Sequence, residues 1–349
     1  MRAMRFLLQF LATPLPWCIK RWVYRLSGCQ FGAGAKIAPL TVVIADNIEL
    51  GPHAQIKPLT IICGLKRLSM GAYAGIGNLC IINGKNSLTI GPRSYIGPGC
   101  MIDVKQDVRI GEYSGVGPRC TLMTHGVFWP FTWGLPHKSG AIDIGDLVWI
   151  NFNCKIGPGI RIADRSLVLT GSVISSSVLK PAIVADSGLK RDRHPIELVH
   201  KQPSREELIE QLRQMVTGLH HDVLADDGFE LHVQDGGFLL EHPKGAIYIH
   251  LHDRDEDAPQ AKQHWLFGFD VDDETLSGQT GVACLDFLHF LHSPAPDRRL
   301  RRATRYFQSE WGLRFADVRY RDCFRLAPPQ SIVDALAESP QTATLQRSA

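Results

Sequence analysis

A six-residue beat runs through the first half of this chain, and few folds accommodate it. Leu50, Met70, Ile90 and Ile110 stand twenty residues apart, each followed by glycine (Gly51, Gly71, Gly91, Gly111). Six residues after each comes a second aliphatic (Ile56, Ile76, Ile96, Val116), and six further on a third (Ile62, Ile82, Ile102, Leu122). After a gap the step resumes at Ile144, Ile150, Ile156, Ile162, Val168 and Ile174. Four positions beyond most of these aliphatics stands a small residue, as at Ala54, Thr60, Ala74, Ser94, Ser114 and Ser166.

A six-residue period matches neither an amphipathic helix nor an alternating strand pair. It fits a parallel β-helix, in which three short faces make one coil of about 18–20 residues and each aliphatic stacks on its counterpart one coil away. Glycine gives the sharp corners their backbone freedom. Handedness does not follow from spacing. The register also accounts for Cys80, Cys100, Cys120 and Cys154, which fall on the small inward position, where a thiol packs as a compact hydrophobe. Zinc would need several histidines on adjacent coils. Between residues 31 and 180 there are three, His53, His125 and His137, so no metal is expected.

The 349 residues leave room for more than this repeat, at roughly 100–200 residues per domain. With 44% hydrophobic and 21% charged residues, wholesale disorder is excluded. A formal charge of +3 is too small to make nucleic acid the main ligand. No stretch approaches the ~20 apolar residues of a membrane span. Nine scattered cysteines argue against a secreted disulfide framework. The expectation is a soluble cytoplasmic protein.

Residues 1–28 combine basic residues with an apolar run broken by Pro14 and Pro16, and offer no small-residue cleavage site. This segment either caps the open end of the β-helix against edge pairing or lies in a membrane interface, and it can do both. The β-helix domain spans 29–188, with an aromatic-rich insertion at 124–143. A linker follows at 189–203, then an α+β domain at 204–338 and a flexible tail at 339–349. Within 204–338 the pattern predicts helices over 204–224, 285–292 and 298–311. Strands are expected at 229–233, 237–241, 246–251, 265–270 and 314–326. His250 and His252 alternate with apolar residues, as on a solvated strand face, and 270–274 is an acidic turn. Five arginines at 298, 299, 301, 302 and 305 mark a basic helix face.

His125 is the one histidine where the coils give way to the insertion. The stretch from Cys100 to Val184 resembles the hexapeptide-repeat acetyltransferases of the galactoside/maltose O-acetyltransferase type. It is also similar to the colanic acid biosynthesis acetyltransferases. The motifs that carry the resemblance are Ile102-Asp103-Val104, Thr124-His125, Ile144-Gly145-Asp146-Leu147-Val148-Trp149-Ile150, Ile156-Gly157-Pro158-Gly159 and Thr170-Gly171-Ser172-Val173-Ile174. The chain departs from that family at Gly99, at Asn151 and over 185–189.

The resemblance implies a left-handed β-helix, a homotrimer, acetyl-CoA as co-substrate and a sugar or polysaccharide acceptor. It makes His125 the general base, in keeping with an imidazole whose unperturbed pKa of ~6.5 leaves it neutral near pH 7. Asp103 takes the role of acceptor-binding residue. Strand spacing places it about 8 Å from His125, with a substrate hydroxyl between them. Asn83, one coil earlier, extends the polar face. Trp149, Thr170, Gly171, Ser175 and Lys190 are implied to line the coenzyme groove. Two rivals stand beside O-acetylation of a surface polysaccharide or its precursor: N-acylation of an amino nucleotide-sugar, and a non-catalytic trimeric scaffold presenting the C-terminal domain.

Overall fold

The computed structural model describes residues 2–126, 138–198, 203–234, 236–243, 245–251, 263–269, 271–277, 282–294, 296–311, 313–328 and 333. The chain divides into two compact units, Met1–His200 and Lys201–Ala349.

In the first unit the repeat aliphatics stack in three parallel ladders. Ile62, Ile82, Ile102, Leu122, Ile156 and Ile174 form one. Ile56, Ile76, Ile96, Val116, Ile150, Val168 and Val184 form the second. The third is Leu50, Met70, Ile90, Ile110, Ile144 and Ile162. None of these side chains is more than 3% exposed, so the ladders are the core. The coil is that of a parallel β-helix and fits the left-handed form. The four repeat cysteines point inward and are buried.

Glycine acts differently from the expectation. The left-handed corner residues are His53, Tyr73, Arg93 and Tyr113 (φ 56°, 58°, 55° and 51°), while Gly51, Gly71, Gly91 and Gly111 are not in that region. What demands glycine is the close approach of the next coil: a Cβ on Gly71 would lie 2.5 Å from the Pro92 backbone nitrogen.

Both ends of the coil are covered. At the first end lie helices Arg2–Leu11 and Trp17–Leu26. The Gln9 side chain pairs with the Ala45 peptide as a neighbouring strand would, donating to its carbonyl and accepting from its N–H, both at 3.1 Å. The Lys20 ammonium donates to the carbonyls of Ala38 and Thr41 (3.0 and 3.2 Å), and the Tyr24 hydroxyl to that of Val43 (2.7 Å). Edge carbonyls that would otherwise be orphaned are thus satisfied. At the far end, Arg193–Pro195 runs antiparallel to Ala182–Val184.

The first cap makes stability depend on pH. Burial lowers the Lys20 pKa to about 8 and raises that of the Tyr24 phenol well above its ordinary value. Above pH 8 the folded lysine releases a proton that the unfolded one, with an ordinary pKa of ~10.4, still holds. Stability of this unit therefore rises from about pH 8 to 10. Beyond that the unfolded tyrosine ionises before the folded one, and stability falls again. Urea titrations across this range test it; in Lys20→Met the rising limb should disappear.

The second unit holds a seven-stranded mixed sheet whose strands follow sequence order: Glu230–Gln234, Gly237–Glu241, Ile247–Leu251, Gln263–Gly268, Ala283–Asp286, Leu291–His292 and Ala316–Asp317. Helices Arg205–Leu219 and Arg298–Trp311 bury Leu212, Val216, Leu300 and Phe307 in one core with Phe238, Ile249 and Phe267. Ser204 and Glu207 close a capping box at the first of these helices.

Four expectations change here. Residues 285–292 are not a helix but the end of one strand, a turn and the short strand Leu291–His292. Of 314–326, only Ala316–Asp317 is strand, and a 3₁₀ stretch, Val318–Cys323, follows. Asp272 caps the short helix Asp273–Leu276, accepting from the Thr275 N–H at 2.8 Å. His250 is buried rather than solvated, because Ile247–Leu251 lies between two paired strands and all five of its residues are buried. Its Nε2 lies 3.0 Å from His264 Nδ1; His252 lies outside the described residues.

Candidate active site

The strand Met101–Val104 pairs with Thr121–Met123 in the next coil, setting Asp103 opposite Met123. Two residues on, the chain leaves the coil as a narrow antiparallel ribbon, His125 opposite Ser139 and Gly126 opposite Lys138. His125 is therefore the first residue of the insertion's stem. Most of the insertion, 127–137, lies outside the described residues.

The exit turn brings the imidazole back onto Asp103. His125 Nδ1 lies 2.7 Å from Asp103 Oδ2, with the His125 side chain 28% exposed and the Asp103 side chain 12%. A carboxylate only accepts, so the proton on this bond belongs to Nδ1 and Nε2 carries the lone pair. No hydrogen bond to Nε2 is found among the described residues. Space for a hydroxyl between the two groups is absent: the side chains reach toward each other and meet directly in place of the expected gap.

Asp103 is itself held by Thr124, whose hydroxyl donates to Oδ2 at 2.7 Å and whose N–H does so at 3.3 Å. Burial pushes its carboxyl up, but the hydrogen bonds from Thr124 and His125 outweigh it and leave the group below the ordinary aspartate range. The Thr124 hydroxyl also accepts from the Gln106 N–H (3.0 Å), and Gln106 donates to Ser139 Oγ (3.2 Å), so the stem is tied to the coil corner. Sequence reasoning gave Thr124 no role; its place beside His125 was the available signal.

Asn83 stands one rung from Asp103 in the same column and is exposed. Ser175, one residue beyond the paired Ile156 and Ile174, lies on this face too, and Lys138 of the stem donates to its carbonyl at 3.1 Å. The Ser175 hydroxyl bonds to the Gly188 carbonyl, which places the exposed Lys190 on a turn docked against this last rung. Trp149 lies on a different face, in the column Gly115–Trp149–Leu167, 61% exposed. Thr170 and Gly171 (φ +75°) occupy the corner between those two faces. The structure thus gathers His125, Asp103, Asn83 and Ser175 on one face and sets Trp149 apart. Among the described residues no cluster of three metal-ligating side chains occurs.

No family model matches the chain, and no curated protein matches it. Solved structures do. A hexapeptide-repeat acetyltransferase from Vibrio cholerae, complexed with acetyl-CoA, is similar over 55% of this chain and 84% of its own, at 18% identity and a TM-score of 0.31. An N-acyltransferase from Bacillus cereus, bound to dTDP-4-amino-4,6-dideoxyglucose and coenzyme A, is similar over 54% of this chain and 90% of its own, at 12% identity and a TM-score of 0.34. A maltose O-acetyltransferase from Clostridium difficile covers 56% of this chain and 86% of its own, at 15% identity and a TM-score of 0.28.

Proposed function

We propose that this protein is an acyltransferase that moves the acetyl group of acetyl-CoA onto a sugar hydroxyl of a surface polysaccharide or its precursor. The observation that carries this reading is the His125–Asp103 contact at 2.7 Å, at the root of a loop leaving a rigid coil. Nε2 of His125 takes the proton of the acceptor hydroxyl as that oxygen attacks the thioester carbonyl. The imidazolium then returns the proton to the departing thiolate as the C–S bond breaks. Asp103 steadies the imidazolium and fixes its tautomer, a positioning role in place of direct acceptor binding. Asn83, on the next rung of the same face, is then the nearer candidate for holding the sugar.

Ser175 and Lys190, on the last rung and its docked turn, are assigned to the coenzyme, with Thr170 and Gly171 at the adjoining corner. Trp149 faces away from His125 within one chain. It joins the groove if a neighbouring copy completes it, as the resemblance to trimeric hexapeptide acetyltransferases implies. The same resemblance supports the sugar acceptor, and the scattered cysteines support action in the cytoplasm.

A thermal-shift titration of the full chain with coenzyme A and acetyl-CoA tests the reading. At a ligand concentration of about 100 Kd, a site on the native state raises stability by roughly 2.7 kcal/mol. An unchanged melting curve at millimolar coenzyme would instead support a non-catalytic scaffold.

A further inference from the structure

We propose that the outward faces of helices Arg2–Leu11 and Trp17–Leu26 dock on an anionic phospholipid surface. These helices turn polar side chains inward beside Tyr24 and leave large apolar ones outward. Gln9 and Lys20 face inward at 0% exposure, bonded to backbone groups of the first coil, while Leu7, Phe10, Leu11, Ile19, Trp22 and Leu26 face outward at 48–65%. Helices that only cap a coil in water place apolar groups inside and polar groups outside. Here the inside is satisfied by hydrogen bonds, and what remains outward suits a medium that takes up hydrocarbon.

Charge says which medium. Residues 1–45 contain six basic residues (Arg2, Arg5, Lys20, Arg21, Arg25 and Lys36) and no acidic one; the first is Asp46. Arg25 is exposed in the same helix as Trp22 and Leu26. Such a segment is attracted by anionic headgroups while its aromatic and aliphatic side chains enter the acyl boundary. A second copy of the chain fits less well, because a two-fold contact would bring the same unbalanced cations together. No helix of the described residues is long and apolar enough to cross a membrane, so the helices would lie in the interface. This inference does not depend on the acyl-transfer reading.

The test is flotation of the full-length protein with vesicles of pure phosphatidylcholine or of phosphatidylcholine with phosphatidylglycerol. Binding is expected to be about tenfold or more tighter to the anionic vesicles, and to weaken in high salt. The triple substitution Leu11→Ser, Trp22→Ser and Leu26→Ser changes exposed side chains only. It should lower anionic-vesicle binding by about tenfold or more and leave thermal unfolding in place. Protein that stays unbound with both vesicles, or binds both equally, overturns the proposal. So does a fall in sedimenting mass in the triple variant when the unsubstituted chain ignores vesicles, which would assign this face to a second copy.

Discussion

Replacing His125 by alanine should lower acetyl transfer by about 10²–10⁴-fold, the range for loss of a positioned general base. The fold should survive, because the side chain is part-exposed at the stem of the insertion and, among the described residues, its hydrogen bond is to Asp103 alone. Asp103→Asn is the more informative partner variant. The amide oxygen would stay where the Thr124 N–H and hydroxyl donate, so the variant keeps the contact to Nδ1 but removes the negative charge that steadies the imidazolium. Activity should fall toward the His125→Ala level, and the double variant should lose little more, since two groups acting as one unit are not additive. Release of free coenzyme A thiol measures all three. Because hydrogen bonds hold the Asp103 carboxyl below its ordinary range, it stays ionised through mildly acid pH. Its charge is therefore in place throughout that range, and His125→Ala leaves it with no imidazolium to steady. Near-normal turnover in that variant would remove the mechanism.

What could be read in advance follows from what repeats. The ladder from Ile62 to Ile174 was legible because each coil imposes the same inward position, so one rule places all of its members. The cysteines at 80, 100, 120 and 154 fell under the same rule. Deviations from the repeat were not legible. The Asp103–His125 contact arises from a turn where the chain leaves the coil, and rung spacing carries no information about that turn. Glycine at 51, 71, 91 and 111 looked like a conformational requirement, yet it answers the backbone of the following coil, a contact across the insertion in the case of Gly111 and Gly145. In the second unit no period repeats. There His250 looked solvated by alternation, yet its strand is covered on both faces and carries the polar-tipped Tyr248 and His250 on one of them, where a continuous apolar run would be expected.

The largest stability effect is expected at the far end of the coil. Asp186 has its side chain 1% exposed and accepts from Arg193 Nε at 3.1 and 3.2 Å. The same guanidinium donates to the carbonyls of Ser177 (2.7 Å) and Ser176 (2.9 Å), and Asp186 also accepts from the Asp192 N–H (3.0 Å). One ion pair thus clamps the strand Arg193–Pro195 over the last rung. Arg193→Met leaves a carboxylate buried without its counter-charge and should destabilise the first unit by about 3–5 kcal/mol. Asp186→Ala should cost about as much, since it strands the arginine and the Asp192 N–H. Removing both charges together, as Asp186→Ala with Arg193→Met, should cost markedly less than the two single losses added, because no uncompensated ion remains. Urea unfolding followed by far-UV circular dichroism, with the two units treated as separate transitions, measures each term. Strict additivity would mean that the clamp acts through packing and that the charges are incidental to it. A double variant well above the sum would instead show that closing the last rung of a β-helix depends on pairing charge out of reach of water.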